Sequence, residues 1–154
     1  MGWFYGFKLH LVINHKGELI NFCLTKGNVD DRQVVKQLMK QLQGLGVGDK
    51  GYLGKKLADD LENQGLKFIT KVRRTMKKKM LSAFETFFLD QRGIIETIID
   101  QLKNLYHLEH TRHRSPVNFL VNTVAALIAY TWRENKPGIK LNKLPNNFYP
   151  VIPN

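Results

Sequence analysis

Two carboxylates stand where a divalent metal ion could be held. Asp49 lies in Gly48-Asp49-Lys50-Gly51-Tyr52, after a short apolar run and before a turn into a helix. Sites in open α/β sheets form at the carboxyl ends of strands, so a carboxylate there can reach a cation. The same position equally suits an ordinary helix cap. Glu96 is the second. At about 100° per residue, Arg92, Glu96, Asp100 and Lys103 share one narrow sector of a helix. Ile94, Ile95, Ile98, Ile99 and Leu102 take the other side and would pack on a sheet. This pattern also describes a solvated face with i,i+4 ion pairs, each worth about a few tenths of a kcal/mol.

Basic residues flank that helix on both sides. Arg73, Arg74, Lys77 and Lys78 precede it within Lys71–Lys79, and Arg112 and Arg114 follow it in His110-Thr111-Arg112-His113-Arg114. They read as phosphate contacts or as solvated loop. The whole chain is biased the same way. Its 154 residues carry 24 Lys and Arg against 13 Asp and Glu, a formal net charge of +11. A charge of that size must be solvated or matched by a polyanion, usually nucleic acid. With 43% hydrophobic and 24% charged residues the chain can still bury a core, which excludes disorder throughout.

Other chemistries are poorly supported. One cysteine, Cys23, permits neither an internal disulfide nor a cysteine-based zinc site, and it fits a reducing cytoplasm. Its apolar surroundings suggest a buried thiol. His107, His110 and His113 are spaced by three but lack cysteine partners, so zinc is not expected. The start of the chain has no signal-peptide pattern. The most apolar stretch, Val117–Trp132, is too short and too interrupted for a membrane span and reads as a buried helix.

The elements that must position these residues follow from periodicity. Residues 3–13 alternate as a strand, with Lys8 and His10 opposite the apolar face. Asn14–Gly17 is a turn into a second strand, 18–25. A helix capped by Asp30 or Asp31 follows and ends at Gly44. A short strand reaches Asp49, a helix runs from Leu53 to Gly65, and a strand covers Leu66–Val72. One long helix is expected over 82–104, and a last one from Pro116. A hairpin followed by alternating helices and strands implies an α/β sheet with mixed strand directions. We expect one domain over 1–134, then a loose tail, 135–154, which from Pro137 on holds four of the five prolines.

Several segments together resemble a known family. Arg92, Glu96 and Lys103, with three and six residues between them, resemble the R-E-K part of the Y-R-E-K signature of insertion-sequence transposases of the DDE type. Gly48–Tyr52 resembles the D-x-G-Y motif around their second aspartate. Phe4–His10, Leu24–Asp31 and Glu109–Pro116 resemble further family blocks. The closest likeness is to the group named after insertion sequence nine-eighty-two, over about residues 2–134. The resemblance implies an RNase H-like mixed sheet with flanking helices. It implies DNA cleavage and strand transfer by two-metal phosphoryl transfer, with two aspartates and a glutamate holding Mg2+ or Mn2+. Clustered anions offset the repulsion of two ions about 3.5–4 Å apart. By the same resemblance Asp49 and Glu96 are the catalytic, metal-holding carboxylates. Arg92 and Lys103 contact DNA, and His10 lines the site.

Two departures matter. The signature tyrosine falls on Leu89. The family's first aspartate lies on a central strand upstream of Phe4–His10, so we expect this chain to be a C-terminal part lacking that strand, with an exposed edge in its place. The expected partners are DNA (transposon ends and target) and an intact transposase or an upstream fragment, in a bacterial cytoplasm near the nucleoid, with no membrane. Three functions follow: an incomplete transposase domain, a non-catalytic DNA-binding or interfering partner of an intact one, or an RNase H-like nuclease whose missing carboxylate is supplied by another chain. Salt-titrated DNA binding tests the charge reading. Affinity should fall steeply as salt rises, and no binding at low salt would remove it.

Overall fold

In the computed structural model, residues 6–49, 52, 54–71, 80–108 and 113–144 are described. The chain divides into two compact units. The first comprises Met1–Val12, Asn21–Arg92 and Lys140–Asn154; the second comprises Ile13–Ile20 and Gly93–Ile139.

The elements run β1 (Phe7–Ile13), β2 (Leu19–Lys26), α1 (Asp31–Leu38), β3 (Gly44–Gly48), α2 (Lys55–Asn63), β4 (Leu66–Thr70), α3 (Ala83–Asp90), α4 (Ile94–Asn104) and α5 (Pro116–Thr131). Among the described residues the strands form two separate two-stranded sheets, β1–β2 and β3–β4. The result is a mixed α/β architecture, compatible with the expected fold class.

The first unit centres on a β3–α2–β4 crossover. β3 and β4 are parallel, in the register Gly46↔Phe68 and Gly48↔Thr70. α2 packs on β4, α3 lies against both strands, and α1 touches α2. Val35, Leu61 and Leu66 form the buried core, with Met39, Leu42, Tyr52, Leu57 and Phe68 packed around them.

Local chemistry explains these elements. Asp30 is the cap of α1: its side chain accepts from Arg32 N, and Asp31 adds negative charge to the first turn. Val34, Val35 and Leu38 make one buried stripe. α1 ends at Leu38 rather than at Gly44. Gln64 Nε2 donates to the carbonyls of Met39 and Leu42, which holds the descending chain. Gly44, at φ +94, instead opens β3. α3 begins with a capping box, Ser82 accepting from Glu85 N and Glu85 from Ser82 N. Glu85 also pairs with Lys67 of β4, which fastens the helix to the sheet.

The expected helix over 82–104 is broken. Gln91–Gly93 forms a 3-10 turn between α3 and α4. Gly93 sits at the break, where glycine disfavours a continuous helix by about 1 kcal/mol relative to alanine. Arg92 is therefore not on α4, and the expected ladder keeps only Glu96, Asp100 and Lys103.

β1 is also turned relative to expectation. His10 is its most buried residue, while Phe7 is exposed. The polar face is the inner one, because His10 finds two hydroxyl partners there. Cys23 is only partly buried.

In the second unit α4 packs against α5. Ile98 and Leu102 are buried from α4, and Thr123, Ala126, Leu127 and Tyr130 from α5. Tyr130 Oη donates to the carbonyl of Gly17 at 2.6 Å. Gly17 adopts φ +76 in the expected turn, and Ile139 N donates to the His15 carbonyl. α5 was expected to be buried, yet its opposite face is open to solvent. Among the described residues of its unit, α4, Tyr106 and the Gly17 turn meet the stripe that carries Tyr130. Among the described residues no helix is long and apolar enough to cross a membrane.

The glycines of β3 have a specific task. A Cβ built on Gly46 would lie 2.9 Å from Phe68 Cδ2, and one on Gly48 would lie closer still to the same ring. Gly48→Ala should therefore displace Phe68 and cost about 1–3 kcal/mol, as overpacking does. Urea unfolding checks this; an unchanged midpoint would mean that the ring moves aside freely.

Candidate active site around Asp49

Asp49 directly follows β3, so the strand end fixes its backbone. The next turn is closed by Tyr52 N, which donates to the Asp49 carbonyl at 3.1 Å. The carboxylate itself stays accessible, with 65% of its side chain exposed. Arg92 Nη1 donates to Asp49 Oδ1 at 3.1 Å. An ion pair this exposed adds about 0–1 kcal/mol to stability. Its importance lies in where it puts a guanidinium: beside a carboxylate at a strand end.

Behind this turn lies a polar cluster around the buried His10. Tyr52 Oη is 3.2 Å from His10 Nδ1, and Thr25 Oγ1 is 3.0 Å from His10 Nε2. A neutral imidazole carries one N–H, so it donates to one hydroxyl and accepts from the other. Burial pushes the His10 pKa below its ordinary value; the nearby Asp31 opposes this and Lys8 assists it. Burial likewise raises the Tyr52 phenol, with Asp31 and Asp49 adding to the effect. Both groups are neutral near pH 7. Lys8 Nζ, on the same strand face, donates to the Val29 carbonyl and to Asp31 Oδ1, each at 3.0 Å. The hairpin, the start of α1 and the Asp49 turn are thus tied within one unit.

The residues singled out from sequence fall in several places. Asp49, Arg92 and His10 belong to the first unit; Arg92 touches Asp49, and His10 reaches the Asp49 turn through Tyr52. Glu96 is exposed in the first turn of α4, in the second unit. It is not buried among the isoleucines. Lys103 is half-buried in the last turn of α4, and Arg114 is exposed just before α5. Arg73, Arg74, Lys77, Lys78 and Arg112 lie outside the described residues. Sequence reasoning passed over Tyr52 and Thr25. Each stands inside a segment already singled out, but only the fold brings both to His10. Asp30 and Asp31 are occupied otherwise: Asp30 caps α1 and pairs with Arg32, which holds its carboxyl down at about 2, while Asp31 pairs with Lys8.

The sequence model of the transposase DDE domain matches residues 1–116. The chain belongs to that family. No curated protein and no solved structure matches it significantly. Transposases of this family act on DNA and use divalent metal ions. The carboxylates of Asp49 and Glu96 have the hard oxygen donors such ions prefer. Their number falls short: among the described residues no three His, Cys, Asp or Glu side chains gather as a metal group. The donor type fits the ion, and the described donor set does not complete its site.

The lowered pKa of His10 predicts a stability that depends on pH. A histidine whose folded pKa is lowered contributes stability in full above the ordinary value of 6.5, and that contribution is lost as pH falls through the folded pKa. The melting temperature should drop between about pH 7.5 and about pH 5.5, and His10→Gln should flatten that drop. Equal slopes for both proteins would show that another group titrates.

Proposed function

We propose that this domain is the C-terminal part of the catalytic domain of a bacterial insertion-sequence transposase, of the nine-eighty-two type. The fold is RNase H-like. Its chemistry is cleavage and joining of DNA strands, with Asp49 and Glu96 as two of three catalytic carboxylates. The Arg92–Asp49 contact carries this reading. It joins the first half of the family resemblance to the second, 43 residues apart in the chain. Glu96 follows Arg92 by four positions in the same signature.

Bound Mg2+ or Mn2+ would supply an activated water or 3′-hydroxyl and stabilise the leaving oxygen. The chain's own residues have simpler tasks. Asp49 and Glu96 offer anionic oxygens. Arg92 and Lys103 meet the DNA backbone, and the basic residues at 73, 74, 77, 78, 112 and 114 extend that contact. His10 holds the Asp49 turn from behind rather than touching DNA.

On this reading the third carboxylate is supplied by another segment, since no group of three ligands gathers among the described residues. Among the described residues β1–β2 and β3–β4 are not hydrogen-bonded to each other, which is compatible with a further strand joining the two pairs. Such a strand, on an upstream fragment or an intact transposase, would bring the aspartate. The net charge of +11 also favours a second reading, a DNA-binding partner that interferes with an intact transposase in the bacterial nucleoid.

A magnesium-dependent nicking assay on cognate ends separates these readings. The isolated chain should be inactive. Mixed with an upstream fragment bearing the aspartate strand it should nick DNA, and Asp49→Ala or Glu96→Ala should lower the rate by about a thousandfold or more, from loss of charge stabilisation. Strong activity of the chain alone would overturn its incompleteness. Reconstituted activity that survives Asp49→Ala would overturn the site. DNA binding without activity in any mixture would leave the second reading.

A further inference from the structure

The first turn of α2 has backbone donors that receive no cap from the chain. Ala58 N makes the first bond of the helix, to the Gly54 carbonyl at 3.0 Å. The N–H groups of Lys55, Lys56 and Leu57 come before that ladder begins. Gly54 holds the cap position, makes no side-chain cap bond, and is followed by no acidic residue in the first turn. The sequence places Lys55 and Lys56 there instead, at the positive end of the helix. Nothing in the backbone calls for glycine at 54, which is extended at φ −147. Packing does not call for it either, because a Cβ built on Gly54 meets nothing within 4 Å. Open room beside a bare backbone is what a closely approaching ligand uses.

A second observation points into the same turn. Thr70 closes β4 and is only 4% exposed. Its Oγ1 has no hydrogen-bond partner among the described residues. A buried hydroxyl left unpaired calls for a cause. The register says where it points. Phe68 pairs with Gly46 and Thr70 with Gly48, and a Cβ on either glycine would meet the Phe68 ring. Alternation puts Leu66, Phe68 and Thr70 on one face of β4. That face packs with Leu57 and Leu61 of α2. α2 runs back along β4, and one helical turn of about 5.4 Å nearly matches two strand residues, about 6.6 Å. Leu61 therefore stands level with Leu66, Leu57 with Phe68, and Gly54 with Thr70. All these residues belong to the first unit.

We propose that the first turn of α2 and Thr70 together bind one phosphate group. Its oxygens accept from the N–H groups of Lys56 and Leu57, as anions do at helix N-termini. Thr70 Oγ1 donates to a further oxygen, and the exposed Lys56 adds positive charge at the rim. A tetrahedral anion presents oxygens in several directions, so it can serve the helix and the strand at once. The phosphate belongs to a DNA backbone or to a small soluble compound. Only the DNA source rests on the reading of this domain as one that acts on DNA.

The experiment titrates inorganic phosphate into the whole 15N-labelled chain at constant ionic strength, with chloride as control. The amides of Lys56 and Leu57 should shift, and the melting temperature should rise, with phosphate alone. Gly54→Asp places a capping carboxylate where the anion would sit. It should raise the melting temperature without phosphate and abolish the response to phosphate. Thr70→Val keeps the shape and loses the donor. It should fold at least as stably and bind phosphate about tenfold more weakly or worse. A merely structural role for these positions would change stability and leave phosphate binding alone. Wild-type amides that do not move overturn the proposal, and so does either variant that binds phosphate as the wild type does. A short DNA duplex then identifies the source. If it releases phosphate from these amides, the site takes the DNA backbone; if it binds without doing so, the site takes a soluble phosphate compound. None of these readouts involves Asp49 or Glu96, so failure here is distinct from failure of the catalytic reading.

Discussion

His10 uses both ring nitrogens, and its two hydroxyl partners stand at Thr25 and Tyr52. Those contacts join β1, β2 and the turn after Asp49. They matter because of where they lie. A polar ring that is only 4% exposed has lost its water, so its hydrogen bonds must be made within the protein. A buried polar network that is satisfied is also directional, unlike apolar packing. The imidazole therefore sets how the hairpin meets the crossover. The Lys8–Asp31 pair extends the same tie to the start of α1.

The crossover itself depends on a second constraint, the absence of side chains on alternate positions of β3. Gly46 and Gly48 leave room for the Phe68 ring. Because Gly48 immediately precedes Asp49, the packing of Phe68 and the position of the carboxylate are linked. The strand is flat on one side for its neighbour, and its end presents an acid. Arg92 meets that acid from the 3-10 turn that interrupts the helical segment. The break after α3 is thus useful as well as tolerated: it frees Arg92 from the direction a continuous helix would impose.

The second unit shows how far one helix can be read from hydrophobicity alone. α5 is apolar around most of its girth, which suggests burial on every side. Among the described residues of its unit, α4, Tyr106 and the Gly17 turn meet the side that carries Tyr130. The remaining Val and Ile stripe is ordered by the same periodicity but faces solvent. Apolar pattern sets what a face needs, and neighbouring chain decides whether that need is met inside one molecule.

Much of the local structure was written in the sequence. The Asn14–Gly17 turn, the Asp30 cap, the glycine at 65 after α2 and proline at the start of α5 all act through residues a few positions apart. The alternation of helices and strands and the likeness around Asp49 and Glu96 are also local patterns. Tertiary structure decided what depends on distant partners. His10 faces inward because Thr25 and Tyr52 wait there, Arg92 leaves the helix for Asp49, and α5 is buried along the stripe that meets described residues of its own unit. Spacing along a chain fixes which side chains share a face. Which faces find partners depends on contacts between segments that the sequence does not set side by side.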